Sequence, residues 1–146
     1  MVFANASLIF LLDQFSKFLV RNNLSSGQSI PIIPHILYLT LVYNRGAAFG
    51  IFKGQVVLFI LTSLASIILI YLHLSRNKQR VPFLRRFSLS LILSGALGNL
   101  TDRVVFGYVI DFIDLRIWPV FNIADTSITV GAILLAYTIL RTKPAG

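Results

Sequence analysis

Four stretches of this chain, residues 2–20, 56–74, 87–105 and 121–140, are predominantly apolar over 19 or 20 residues each. At about 1.5 Å per helical residue, such a stretch reaches about 30 Å, the hydrocarbon thickness of a bilayer. Inside lipid every backbone N–H and C=O must be satisfied within the protein, and one continuous segment achieves that as a helix. The composition agrees. The chain is 56% hydrophobic and 12% charged, whereas a soluble domain needs about a quarter of its residues charged to cover itself. Asp13 and Lys17 interrupt the first stretch and no small-residue cleavage site follows it, so it is predicted to be a retained helix rather than a secretory signal. With no repeat and no linker between these stretches, residues 1–146 are expected to form a single integral membrane domain.

The net charge of +8 is placed as orientation signals are placed. Residues 75–86 carry Arg76, Lys78, Arg80, Arg85 and Arg86 without an acid, and the tail adds Arg141 and Lys143. By the positive-inside rule this loop and this tail are cytoplasmic. Both termini then face the cytoplasm, and residues 21–55 and 107–120 lie on the outer side. A basic excess of this kind does not call for nucleic acid. Cysteine is absent, which excludes thiol catalysis and thiolate metal sites, and His35 and His73 are too far apart to suggest a ligand cluster. The outer segment at about 30–53 is the β-rich part. Its residues 36–43 are dominated by β-branched and aromatic side chains after Pro31 and Pro34, which favours a strand in a small sheet over an irregular loop. It ends in Asn44-Arg45-Gly46-Ala47-Ala48-Phe49-Gly50, where small residues let backbone approach a ligand closely.

All five acidic residues are aspartates, at 13, 102, 111, 114 and 125. A charge within a span is costly, so each needs a partner or a purpose. Asp13 and Lys17 are one helical turn apart and can neutralise each other, a structural role at least as natural as a chemical one. Asn99, Asp102 and Arg103 share the outer end of the third span and read as organisers of a site. Asp114 reads as an interfacial bystander. Asn122 is a plausible N-cap, which makes Asp125 either a capping acid favoured by the helix dipole or a reactive group. Asp111 sits among Val, Ile and Phe with no lysine nearby, and capping does not explain it. Two carboxyls brought together in a poorly hydrated place share a proton, and such a pair can activate water while protonating a scissile carbonyl. Spacing alone does not bring these two together.

Five motifs then carry a resemblance: Asp13-Gln14-Phe15-Ser16-Lys17, residues 43–50 from Tyr43 to Gly50, residues 95–103 from Gly95 to Arg103, Gly107-Tyr108-Val109-Ile110-Asp111-Phe112-Ile113, and Phe121-Asn122-Ile123-Ala124-Asp125. In this order and on this topology the chain resembles the lipoprotein signal peptidases (signal peptidase type II), bacterial membrane aspartic endopeptidases. Ile110 and Thr126 depart from the expected Val and Ser, and the N-terminus lacks the usual basic lead. The resemblance implies an all-α membrane protein of four transmembrane helices, with a small extracytoplasmic β-cradle and a short outer interfacial helix near residues 114–120. It implies a catalytic pair at Asp111 and Asp125, supported by Asp13, Lys17, Asn44, Asn99, Arg103 and Asn122, with Asp102 a further candidate. Arg45 is a candidate clamp on the outer rim. It implies cleavage of prolipoproteins just before a diacylglyceryl-bearing Cys, at the outer face of the bacterial inner membrane. No metal or organic cofactor is implied. The other implied partners are membrane lipid and the inhibitor globomycin, and nothing in the sequence demands more than a monomer. The alternatives are a small four-helix proton-coupled transporter exchanging at Asp13, or a purely structural subunit.

Overall fold

The computed structural model describes residues 2–46, 54–77 and 81–141. Their element order is α1 (Val2–Asn23), β1 (Ser29–Ile33), β2 (Leu37–Asn44), α2 (Val56–Arg76), α3 (Phe83–Phe106), β3 (Val109–Asp114) and α4 (Ile123–Arg141). Among the described residues, these four helices are long and apolar enough to cross a bilayer. Their outward faces carry Phe15, Phe18, Leu61, Leu69, Ile133 and Ile139, all more than half exposed. Apolar surface on this scale is a liability in water and the expected state where the solvent is hydrocarbon.

Helix α3 is the centre, packed against each of the other three. It can be central because its buried face is small and self-satisfied. Ser88, Ser90 and Ser94 are buried, and each hydroxyl donates to a carbonyl of its own helix, those of Leu84, Phe87 and Leu91. This back-bonding removes the cost of placing a hydroxyl in an apolar interface. Close approach depends on glycine at two positions. A Cβ at Gly95 would collide with the backbone carbonyl of Ala124 on α4, and one at Gly98 would meet the Asp13 carboxylate of α1. Small residues at such crossings let helix backbones come together where no hydrophobic effect drives them.

All connections at one end of the bundle run through a three-stranded antiparallel sheet in the order β1-β2-β3. The expected strand over 36–43 is present as β2. It pairs on one side with β1 (Ser29 opposite Thr40) and on the other with β3 (Val42 opposite Asp111, Asn44 opposite Val109). The apolar run holding Asp111 is therefore a strand of the sheet, which its sequence did not declare. Helix α3 stops at Gly107, whose left-handed conformation (φ 75°) returns its N–H to the Arg103 carbonyl and turns the chain straight into β3. Ile110 and Phe112 point from one face of β3 into a cluster with Val20 and Leu41. Asp111, between them, points to the other face.

Two expectations are corrected. The segment between β3 and α4 holds no helix. It makes a bend at Arg116 (φ 65°) and returns through a single bridge pairing Ile113 with Phe121. Hydrogen bonds from the N–H groups of Phe112 and Ile113 to the Phe121 carbonyl, and from the Phe121 N–H to the Ile113 carbonyl, tie the end of this segment back to β3 as a loop. Helix α3 begins at Phe83 rather than 87, because Arg85 and Arg86 are good helix formers although too polar for an apolar window. The expected β-rich stretch continues into residues 47–53, which lie outside the described residues, as do Lys78, Arg80 and Lys143.

The Gly95 contact generates a prediction. Gly95→Ala should separate α3 from α4 and cost about 1–3 kcal/mol, the usual penalty of overpacking. An unchanged thermal midpoint in detergent would show that the two backbones do not meet at this position.

Candidate active site

Asp125 lies in the first turn of α4, and its position there is set by a reciprocal cap. The Asn122 side-chain oxygen accepts the Asp125 N–H at 2.8 Å, while Asp125 Oδ2 accepts the Asn122 N–H at 3.3 Å. Each residue satisfies one donor that a helix start would otherwise leave open. Asn122 thus has the capping role its sequence position suggested, and it does more. It is fully buried, and its amide Nδ2 donates to Asp111 Oδ1 at 2.7 Å. One side chain therefore touches both aspartates.

The other amides complete the arrangement. Asn44, at the end of β2, donates from Nδ2 to Asp111 Oδ2 at 2.9 Å, and its own oxygen accepts the Gly46 N–H. Asn99 of α3 donates to Asp125 Oδ1 at 2.7 Å. Its oxygen accepts from Lys17 Nζ at 3.2 Å and from Asn122 Nδ2 at 3.1 Å. An ammonium cannot accept, so Lys17 fixes which end of the Asn99 amide faces Asp125. Both aspartates line a cavity of about 390 Å³, walled in part by Asn44, Asn99, Arg103, Phe59 and Trp118. Arg103 enters it over the Phe59 ring, its guanidinium 4.8 Å from the centroid, and donates to the Asn99 carbonyl.

Burial raises the Asp111 carboxyl, and the neighbouring Asp125 raises it further. The hydrogen bonds from Asn44 and Asn122 oppose both effects, and the group is pushed up to about 7. A carboxylic acid that keeps its proton toward neutral pH in a concave site is suited to acid–base chemistry.

Asp13, Lys17 and Asp102 lie below this pair and are almost wholly excluded from solvent. Lys17 Nζ is 2.8 Å from Asp13 Oδ2 and 2.9 Å from Asp102 Oδ2. This arrangement corrects the exchange-site alternative for Asp13. Its Oδ1 accepts the Ala124 N–H and its Oδ2 holds Lys17 and Gln14, so both oxygens are committed. Arg45 is exposed and does not line the cavity. Residues 47–50 of its motif fall outside the described residues. Asp114 is no bystander. Burial would raise it, but hydrogen bonds from Thr40 and the Arg116 N–H, together with the Arg116 charge, hold it below the usual carboxylate range. Arg116 also donates to Ser29 and stacks over Tyr38, so this cluster pins all three strands. Among the described residues, no three His, Cys, Asp or Glu gather as metal ligands. Gln14, whose amide reaches Asp13 and Asp102, is the site residue that sequence reasoning passed over.

Fold and site together define a multi-pass membrane protein that holds two carboxyls in one amide-lined cavity. The family model described as signal peptidase (SPase) II matches residues 5–141, and the chain belongs to that family. It is 45% identical to the lipoprotein signal peptidase of Halothermothrix orenii, over 100% of this chain and 99% of that one. It is 46% identical to that of Moorella thermoacetica, over 97% and 92%. The more distant Staphylococcus aureus lipoprotein signal peptidase is 38% identical over 93% and 85%. A solved bacterial membrane enzyme superposes with a TM-score of 0.89 at 33% identity, covering 99% of this chain and 93% of its own. A second does so at 0.86 and 34%, covering 97% and 94%.

Lys17→Met would leave two buried carboxylates facing each other without their ammonium. A loss of about 3–5 kcal/mol of stability is expected, as for one partner removed from a buried ion pair. A wild-type thermal midpoint in detergent would refute the charge cluster as a support of the fold.

Proposed function

We propose that this chain removes signal peptides from prolipoproteins, with Asp111 and Asp125 as the catalytic carboxyls of an aspartic endopeptidase. The observation that carries the reading is the sharing of Asn122: two carboxyls that line one cavity converge on one buried residue, Asp111 on its side-chain amide and Asp125 on its backbone N–H. Asp111 holds the shared proton and Asp125 acts as the base. Asp125 takes a proton from a water whose oxygen attacks the scissile carbonyl carbon, while Asp111 gives its proton to the carbonyl oxygen. The tetrahedral diol then collapses. The carbon–nitrogen bond breaks, the departing amine takes the proton held by Asp125, and a diol hydroxyl returns its proton to Asp111. Arg103 and the Asn44 amide, which face the same cavity, are placed to hold backbone oxygens of an extended peptide.

The substrate bond is the one preceding a Cys that carries diacylglycerol, whose acyl chains keep it at the membrane surface. The sheet end of the bundle faces the extracytoplasmic side, and the termini face the cytoplasm with the basic loop between α2 and α3. The protein works as a single membrane domain and a monomer, surrounded by lipid, and the inhibitor globomycin competes for the cavity. The cysteine-free sequence makes the orientation easy to test. A Cys at Ser26 should react with an impermeant maleimide on intact cells, and one at Asn77 only after permeabilisation. The opposite pattern would invert the topology.

Cleavage of a diacylglyceryl prolipoprotein by purified protein in detergent tests the chemistry. Asp111→Asn and Asp125→Asn should each lower turnover by about 10⁴-fold or more, as when one member of a concerted set is removed. Retained cleavage in either variant would dismiss the pair. The pH profile follows from Asp111. The group is protonated below about 7, so kcat/KM should fall as pH rises through that value. Asn44→Leu removes a donor that favours the charged form, and the falling limb should move to higher pH. A profile flat across neutrality would contradict Asp111 as the acid.

A further inference from the structure

Three buried ionised groups, Asp13, Lys17 and Asp102, take no part in the reaction above, and their contacts repeat one pattern. Asp13 Oδ1 accepts the backbone N–H of Ala124 at 2.8 Å, the residue immediately before Asp125. Asp102 Oδ2 accepts the backbone N–H of Ile110 at 3.0 Å, the residue immediately before Asp111. The two catalytic residues are thus each preceded by a peptide held on a buried carboxylate. Two side chains of α1 join those carboxylates to each other. Lys17 Nζ contacts both at 2.8 and 2.9 Å, and Gln14 Nε2 reaches Asp13 Oδ2 and Asp102 Oδ1, each at 3.1 Å.

We propose that Lys17 and Gln14 form a two-point cross-link that sets the spacing of the catalytic aspartates, by tying together the carboxylates that hold the peptide N–H before each of them. The inference rests on the reading of Asp111 and Asp125 as the catalytic pair. The two elements that carry the pair are joined from the other side by the Ile113–Phe121 bridge and by Asn122. That contact alone is a hinge, about which the two aspartates could still open. The cross-link closes it from the α1 side. Lys17 and Gln14 are adjacent on the helix surface, three residues apart, so both reach the same pair of carboxylates from one rigid face. Gln14 and Lys17 are positioning residues: neither lines the cavity that holds the aspartates.

The two cross-linking residues differ in what they risk. Both border a second cavity of about 380 Å³ beside Phe18 and Phe106, but Lys17 is buried and carries the charge, whereas Gln14 is half-buried and neutral. Gln14→Leu therefore removes one strand of the cross-link and leaves the ion cluster in place. In steady-state cleavage of a diacylglyceryl prolipoprotein in detergent, Gln14→Leu should lower kcat by about tenfold with KM unchanged. Asp13→Asn, which keeps the side-chain volume but supplies one acceptor where two are used, should lower kcat by about 10²-fold, the scale of an ångström-sized misplacement. In the Asp13→Asn background, Gln14→Leu should have little further effect, because the cross-link is already broken. Wild-type kcat in Gln14→Leu, a loss carried by KM, or full multiplication of the two effects would each overturn the proposal. If Asp13→Asn does not fold, the kcat of Gln14→Leu alone decides. Retained cleavage in Asp111→Asn or Asp125→Asn would instead remove the catalytic reading. Loss in those variants with wild-type turnover in Gln14→Leu would remove only the cross-link.

Discussion

The ammonium of Lys17, buried between two carboxylates and an amide, is the interaction on which the remaining polar structure depends. In a bilayer interior a single charge is costly, and three charges are tolerable when each saturates the others. Here the three donors of the ammonium are matched by Asp13, Asp102 and Asn99, drawn from α1 and α3. The free oxygen of Asp13 accepts a backbone N–H of α4, and the Asp102 oxygen that meets Lys17 also accepts one of β3. A charge that could have been only a burden thereby organises four elements of the fold.

That network has room because α3 is thin. Glycines at 95 and 98 and serines that bond their own helix let α1 and α4 come close to its axis, which brings Asp13 within reach of the α4 start. Bulkier residues would raise packing area and push apart the groups that have to meet. The molecule therefore trades apolar contact at its centre for polar precision at its sheet end. Apolar contact counts for less here than in water, since lipid tails compete for the same surfaces.

The legible and illegible parts of the sequence separate along physical lines. Four spans and β2 were readable, because length and local patterning report them directly. The capping relation of Asn122 to Asp125 was readable too, being a three-residue relation. β1 and β3 were not. Ile30, Pro31 and Ile32 lie on an exposed edge strand, and Asp111 interrupts an otherwise apolar run whose partner is some seventy positions earlier (Val42 opposite Asp111). Pairings of that kind leave no local trace. The family resemblance implied roles for Asp111 and Asp125, while composition showed only their oddity. Gln14 escaped notice because it is neutral and sits beside two louder residues, Asp13 and Lys17. The expected outer helix is absent because the segment turns at Arg116 and its end, at Phe121, is tied back to the backbone of β3.

Asn122 is both the cap of α4 and a donor to Asp111. The first turn of a helix is where fraying begins, but this one is buried and its Ala124 N–H is held by Asp13, so it opens only as the polar network does. In this protein the fraying of α4 and the dismantling of the cavity are a single event, because the same amide is released in both. Loss of activity on warming would therefore precede loss of helical content. The protein would fall silent while its four helices remained in place.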